Sequence, residues 1–147
     1  MRVPPVTALS RAAFAGFAVL LFVGTHWPKL TIPAPGRPDL FVHAAVFAVW
    51  TGLLIGAGFF GHPLSRRNLL FVLAIAPVYA AIDESLQAIP WIRRHAAWDD
   101  YRMNLAGVAI ALAAASILAA VRGKRGARRA TMIAPDAPTA RRNSAAS

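Results

Sequence analysis

The chain contains no cysteine, which excludes disulfides, thiolate metal centres and thiol nucleophiles. Acidic residues are scarce too, with six Asp and Glu against 16 Lys and Arg. Charged residues of both signs make up only 15% of the 147, hydrophobic residues make up 57%, and the mean hydropathy is +0.50. So little charge excludes an ordinary soluble domain of this size and points to a small integral membrane protein. Alternating polarity and internal repeats are also lacking, so helices are expected rather than barrel strands. The net charge of +10 would suit a nucleic-acid partner, but the basic residues cluster at the ends and turns of apolar segments. Topology signals lie there, and nucleic acid is not an expected partner.

What the chain does have is four apolar segments. They predict an all-α membrane protein, a four-transmembrane-helix bundle with helices at about 8–25, 39–61, 68–89 and 101–121. The bundle domain is expected over 1–122. The first segment is followed by "THWPKL", which offers no small-x-small cleavage site, so it reads as a retained helix and not a signal peptide. After Val121 the sequence turns to "RGKRGARRATMIAPDAPTARRNSAAS", which has too few large apolar residues to bury a core; 123–147 is expected to be a disordered basic tail.

Orientation follows from the basic residues. Arg2, Arg11, Arg66, Arg67 and seven Lys and Arg of the tail fall at one set of helix ends; Lys29, Arg37, Arg93, Arg94 and Arg102 fall at the other. The positive-inside rule predicts both termini in the cytoplasm. The loops at 25–38 and 90–102 would then face outward together.

The polar residues of three spans share that outer end. Asp39 and His43 open the second helix, Asp83 and Gln87 close the third, and Asp100 and Asn104 open the fourth. Every pair is spaced i, i+4 and lies on one helix face. With a rise of about 1.5 Å per residue, Asp83 lies roughly 22 Å along the third helix, inside a hydrocarbon core about 30 Å thick. Ionisable side chains facing lipid there are costly, so these faces are expected to turn toward one another, with Glu84 beside them and Arg93 or Arg94 as counter-charge. Ala80, Ala81, Ala106 and Gly107 are expected to let the third and fourth helices approach closely. Such a network either locks the bundle or forms a pocket.

Two chemistries fit a pocket of this composition. A non-enzymatic site would bind a lipid or wall-precursor headgroup, or another membrane protein. Arg93 or Arg94 would take phosphate or carboxylate, and Asp83, Glu84 and Asp100 would take amine or hydroxyl. Trp27, Trp91 and Trp98 lie in the outer loops, where indoles suit the headgroup layer. The alternative is an intramembrane enzyme acting on a lipid-linked substrate with Asp83, Glu84 and Asp100 as its acids and bases. Adjacent helical residues diverge by about 100°, so Asp83 with Asp100 is the better pair; Ser85 is the only candidate nucleophilic serine in the motif. His26, His43 and His95 lack metal-ligand spacing, and no metal or cofactor is expected. Ion translocation would need polar residues through the full depth, and the inner halves offer little beyond Thr51 and Ser116.

The stretch "DESLQAIPWIRRHAAWDDYRMNLAG", Asp83 to Gly107, resembles the VanZ-like family of small multipass membrane proteins in its D-E-x-x-Q, proline and arginine, then D-x-x-x-N-x-x-G. The stretch Thr25 to Leu54 is similar to that family's Pro-rich outer loop leading into an Asp and a His. The resemblance implies site roles for Asp83, Glu84, Gln87, Asp100, Asn104, Asp39 and His43, and a packing role for Gly107. Two departures stand out: Leu40 sits where the family often has Lys, and "PWIRR" is one residue longer than the usual loop, which leaves Arg93 and Arg94 both open as the motif arginine. Four transmembrane helices, a place in the bacterial cytoplasmic membrane and a link to low-level teicoplanin resistance are what the resemblance implies. It implies no particular reaction.

Overall fold

The computed structural model describes residues 5–27, 38–89 and 97–133. They form four helices: α1 (Pro5–His26), α2 (Pro38–Ala57), α3 (Arg66–Gln87) and α4 (Trp98–Ile133). Each contains a stretch long and apolar enough to cross a membrane. No more than a third of any span's apolar window is buried inside the chain, and for α1 the share is 6%. Large side chains such as Leu9, Leu20, Phe41, Ile110 and Ile117 point outward, as expected where lipid rather than water is the surrounding solvent. The protein is therefore an all-α, multi-pass membrane protein.

α2 is the central element. It packs against the other three helices and most extensively against α4, while α1 and α4, among the described residues, lie apart on opposite sides. Phe47, Trp50 and Leu54 of α2 meet Val72, Ala76 and Ala80 of α3, Val108 and Ala115 of α4, and Leu21 of α1. The Trp50 indole stacks on the Tyr79 ring, with centroids 4.4 Å apart and 9° between planes.

Gly107 sets a close approach of α4 to α2. A Cβ there would overlap the Ala44 carbonyl oxygen and lie 2.8 Å from the Ala48 nitrogen, so only glycine fits against α2. This corrects the expectation that Gly107 would draw α4 onto α3. Ala80 is buried in the common core, whereas Ala81 lines an open groove between α3 and α4.

The α2–α3 turn is held by side chains near the basic end. α2 stops at Ala57, four residues before the expected boundary, because Gly58 adopts φ +57°, a conformation that glycine tolerates best. Arg11 of α1 donates from Nε to the Ala57 carbonyl at 3.1 Å and lies over the Phe59 ring. The buried Asn68 amide donates to the carbonyls of Ile55 (3.1 Å) and Pro63 (2.9 Å) and accepts from Phe60 N–H. Ser65 caps α3 by accepting from Asn68 N–H.

α4 is longer than hydropathy suggested. Its 36 residues carry helix to Ile133, through the stretch 123–133 that had been expected to lack structure. Hydropathy locates where the bilayer stops but not where the helix stops; Arg, Lys and Ala are good helix formers in water. Residues 134–147 of the tail lie outside the described residues.

Candidate functional site

α1 and α3 finish, and α2 and α4 begin, at one end of the bundle, and the polar side chains gather there in two clusters. The first joins α1 to α3. Asp83, only 1% exposed, accepts from Thr25 Oγ1 at 2.9 Å through Oδ1 and from Gln87 Nε2 at 3.3 Å through Oδ2. His26 Nδ1 stands 3.8 Å from Oδ1. That nitrogen also lies 2.8 Å from the Phe22 carbonyl oxygen and 2.9 Å from Thr25 Oγ1. Among the described residues His26 Nε2 is buried with no partner.

The second cluster joins α2 to α4. His43 Nδ1 lies 3.1 Å from Asn104 Oδ1 and donates to it, while His43 Nε2 faces Asp100 Oδ2 at 3.7 Å. Asn104 is fully buried, and its Nδ2 has no partner among the described residues. Asp39, half-buried, sits one turn before His43.

Glu84 bridges the two clusters. Its Oε1 accepts from the Ala97 N–H at 2.6 Å, just ahead of α4, while His43, Asp83 and Asp100 are all within electrostatic reach. Its Oε2 is buried and has no partner among the described residues. Buried polar atoms are nearly always satisfied, so the unpartnered acceptor on Glu84, donor on Asn104 and ring nitrogen on His26, all toward the same end of the bundle, stand out among the described residues. Deeper in α2, Trp50 Nε1 and Thr51 Oγ1 are also buried and unpartnered.

The structure thus brings together Asp83, Glu84, Gln87, His43, Asp100 and Asn104. Arg93, Arg94, Trp91 and His95 lie outside the described residues. Each oxygen of Asp83 accepts one hydrogen bond, while Glu84 has Asp100 within electrostatic reach and, among the described residues, one oxygen without a partner. Ser85 Oγ is committed to the Ala81 carbonyl at 2.6 Å, as a helix-packed serine would be. Among the described residues no three His, Asp or Glu side chains converge as a metal set.

Sequence reasoning passed over Thr25 as a ligand of Asp83, and weighed His26 only for metal. Their signal was positional, since both fall in the last turn of α1 at the end where the other polar pairs gather. Trp27 and Trp98 are exposed at this same end, where a bilayer would place its headgroups.

Fold and site together define a multi-pass, four-helix membrane protein with a buried polar cluster at one end. Comparisons with protein-family models, curated proteins and solved structures give no match, so the site is read from its own chemistry.

Proposed function

We propose that the polar end binds the headgroup of a membrane lipid or lipid-linked wall precursor. The observation that carries this reading is the pair of buried, unsatisfied groups, Glu84 Oε2 and Asn104 Nδ2. A ligand that satisfies both must offer a donor and an acceptor. A hydroxyl does so, and so does an ammonium next to a phosphate or ester oxygen. Leaving either group empty costs about 1–3 kcal/mol, and that cost is recovered on binding.

The remaining parts of the reading rest on sequence. Arg93 and Arg94 fall between the helices whose ends form the cluster and would supply the fork for phosphate or carboxylate. The resemblance of Asp83–Gly107 to the VanZ-like family supports a role in the bacterial envelope, and the distribution of Lys and Arg supports cytoplasmic termini with the cluster outward. A contribution to teicoplanin resistance rests on that resemblance alone. An intramembrane enzyme is the second reading, favoured by the open Glu84 oxygen near Asp100.

The test is native mass spectrometry of the full chain with dioleoyl phosphatidylethanolamine, phosphatidylglycerol and phosphatidylcholine. The first two headgroups carry donors for Glu84, and the third has none. Selective adducts with the first two, lost in Glu84→Gln, are expected. The substitution keeps an oxygen for Ala97 N–H but replaces the free acceptor with a donor. Equal binding of all three lipids by the wild type would refute the reading.

A further inference from the structure

On the bilayer side of the cluster, α3 and α4 do not close. Pro77, Val78, Ala81, Ile82, Ser85 and Leu86 of α3 with Tyr101 of α4 line an open, apolar groove of about 440 Å³. That volume lies within the range of built ligand sites, roughly 300–1,000 Å³. The groove has a cause in the sequence: Ala81 and Ser85 are small at successive turns, and Pro77 sits inside the helix. The only hydroxyl on its α3 wall is turned back to the Ala81 carbonyl, so that wall offers an apolar surface. Its lining lies on a membrane-spanning helix, where hydrocarbon is the surrounding solvent.

The groove borders the polar cluster along both helices, since Ser85 directly follows Glu84 and Tyr101 directly follows Asp100. Successive α-helical residues turn by about 100°, which puts Ala81 roughly 60° and Ser85 roughly 100° around α3 from Glu84. Glu84 itself sits on the α3–α4 seam through its bond to Ala97, and Tyr101 directly follows Asp100 on the other wall. The geometry points to a lipid-chain site: the groove holds one acyl or prenyl chain of the same molecule whose headgroup engages Glu84 and Asn104. The ligand is then a lipid reaching the cluster sideways from the bilayer and not a water-soluble headgroup analogue or a protein. This rests on the headgroup reading above and adds to it the chain and the direction of approach.

The experiment titrates the full chain in detergent with dioleoyl phosphatidylethanolamine and, separately, with the chainless glycerophosphoethanolamine, read by native mass spectrometry. The variants are Ala81→Phe and Ser85→Leu, which fill the groove, with Glu84→Gln for the headgroup and Val49→Phe on the outward face of α2 as a control. Melting curves establish that each variant is folded, and having two groove variants covers the failure of either. The groove variants are expected to weaken phosphatidylethanolamine binding by about tenfold or more, while Val49→Phe leaves it unchanged and glycerophosphoethanolamine binding stays at its wild-type level. Unchanged lipid binding in folded groove variants, with binding lost in Glu84→Gln, would overturn the chain site and leave the headgroup reading standing. Lipid binding lost in the groove variants but kept in Glu84→Gln would overturn the headgroup reading instead. No saturable lipid binding by the wild type would overturn both.

Discussion

Replacing Gly107 with alanine tests the close packing of α4 on α2. A methyl group at this position would overlap the Ala44 carbonyl oxygen and sit 2.8 Å from the Ala48 nitrogen. Both obstacles are backbone, so no side chain can swing aside and the helices must part by about 1 Å to restore ordinary contact distances. Overpacking of this kind costs about 1–3 kcal/mol, partly offset by the roughly 1 kcal/mol that alanine gains over glycine inside a helix. Gly52 and Gly56 of α2 supply the control, because a Cβ at either meets nothing within 4 Å. There the helix gain acts alone and alanine is expected to stabilise. The assay is thermal or denaturant unfolding in detergent followed by circular dichroism. Gly107→Ala should melt several degrees below the wild type, and Gly52→Ala and Gly56→Ala at or above it. The strain has a second readout, because Asn104 lies one turn before Gly107 and its partner His43 directly precedes Ala44. The His43 ring signals in NMR should shift in Gly107→Ala and not in the control variants. A Gly107→Ala protein as stable as Gly52→Ala would refute the close-packing account of the α2–α4 seam.

Asn68→Ala removes three side-chain hydrogen bonds that hold the α2–α3 turn and leaves buried backbone groups without partners. A loss of about 3 kcal/mol is expected in reversible unfolding, and a loss under 1 kcal/mol would show that the turn is held by something else. Arg11→Ala should cost about 1–2 kcal/mol, because the guanidinium donates to the Ala57 carbonyl and covers Phe59. Arg11→Lys keeps the charge but loses the planar fork, so it should recover only part of that; full recovery would reduce Arg11 to the topology signal read from the sequence.

Much of the architecture was legible because hydropathy acts locally. Four apolar runs, each reaching bilayer length together with its flanking helix, predict four spans without any knowledge of their partners. The shared end of Asp39 and His43, Asp83 and Gln87, and Asp100 and Asn104 was legible for the same reason: alternating passes place these positions at one level, and i, i+4 spacing places each pair on one face. Helix ends were less accurate. Gly58 stops α2 through its backbone conformation, and α4 runs on past its last apolar turn to Ile133; neither event leaves a mark in hydropathy.

Partner choice was a different matter. Nothing in the spacing could assign Thr25 to Asp83, Asn104 to His43 or the Ala97 N–H to Glu84, because each bond depends on which helices become neighbours. That order of neighbours rests on close packing, above all on Gly107 against α2, which sequence reasoning had matched to α3. The residue types and their depth in the bilayer follow from the chain alone, since each helix meets the membrane independently. Which carboxylate oxygen stays open depends on contacts between residues far apart in sequence, so Glu84 stands out only once the four helices are packed.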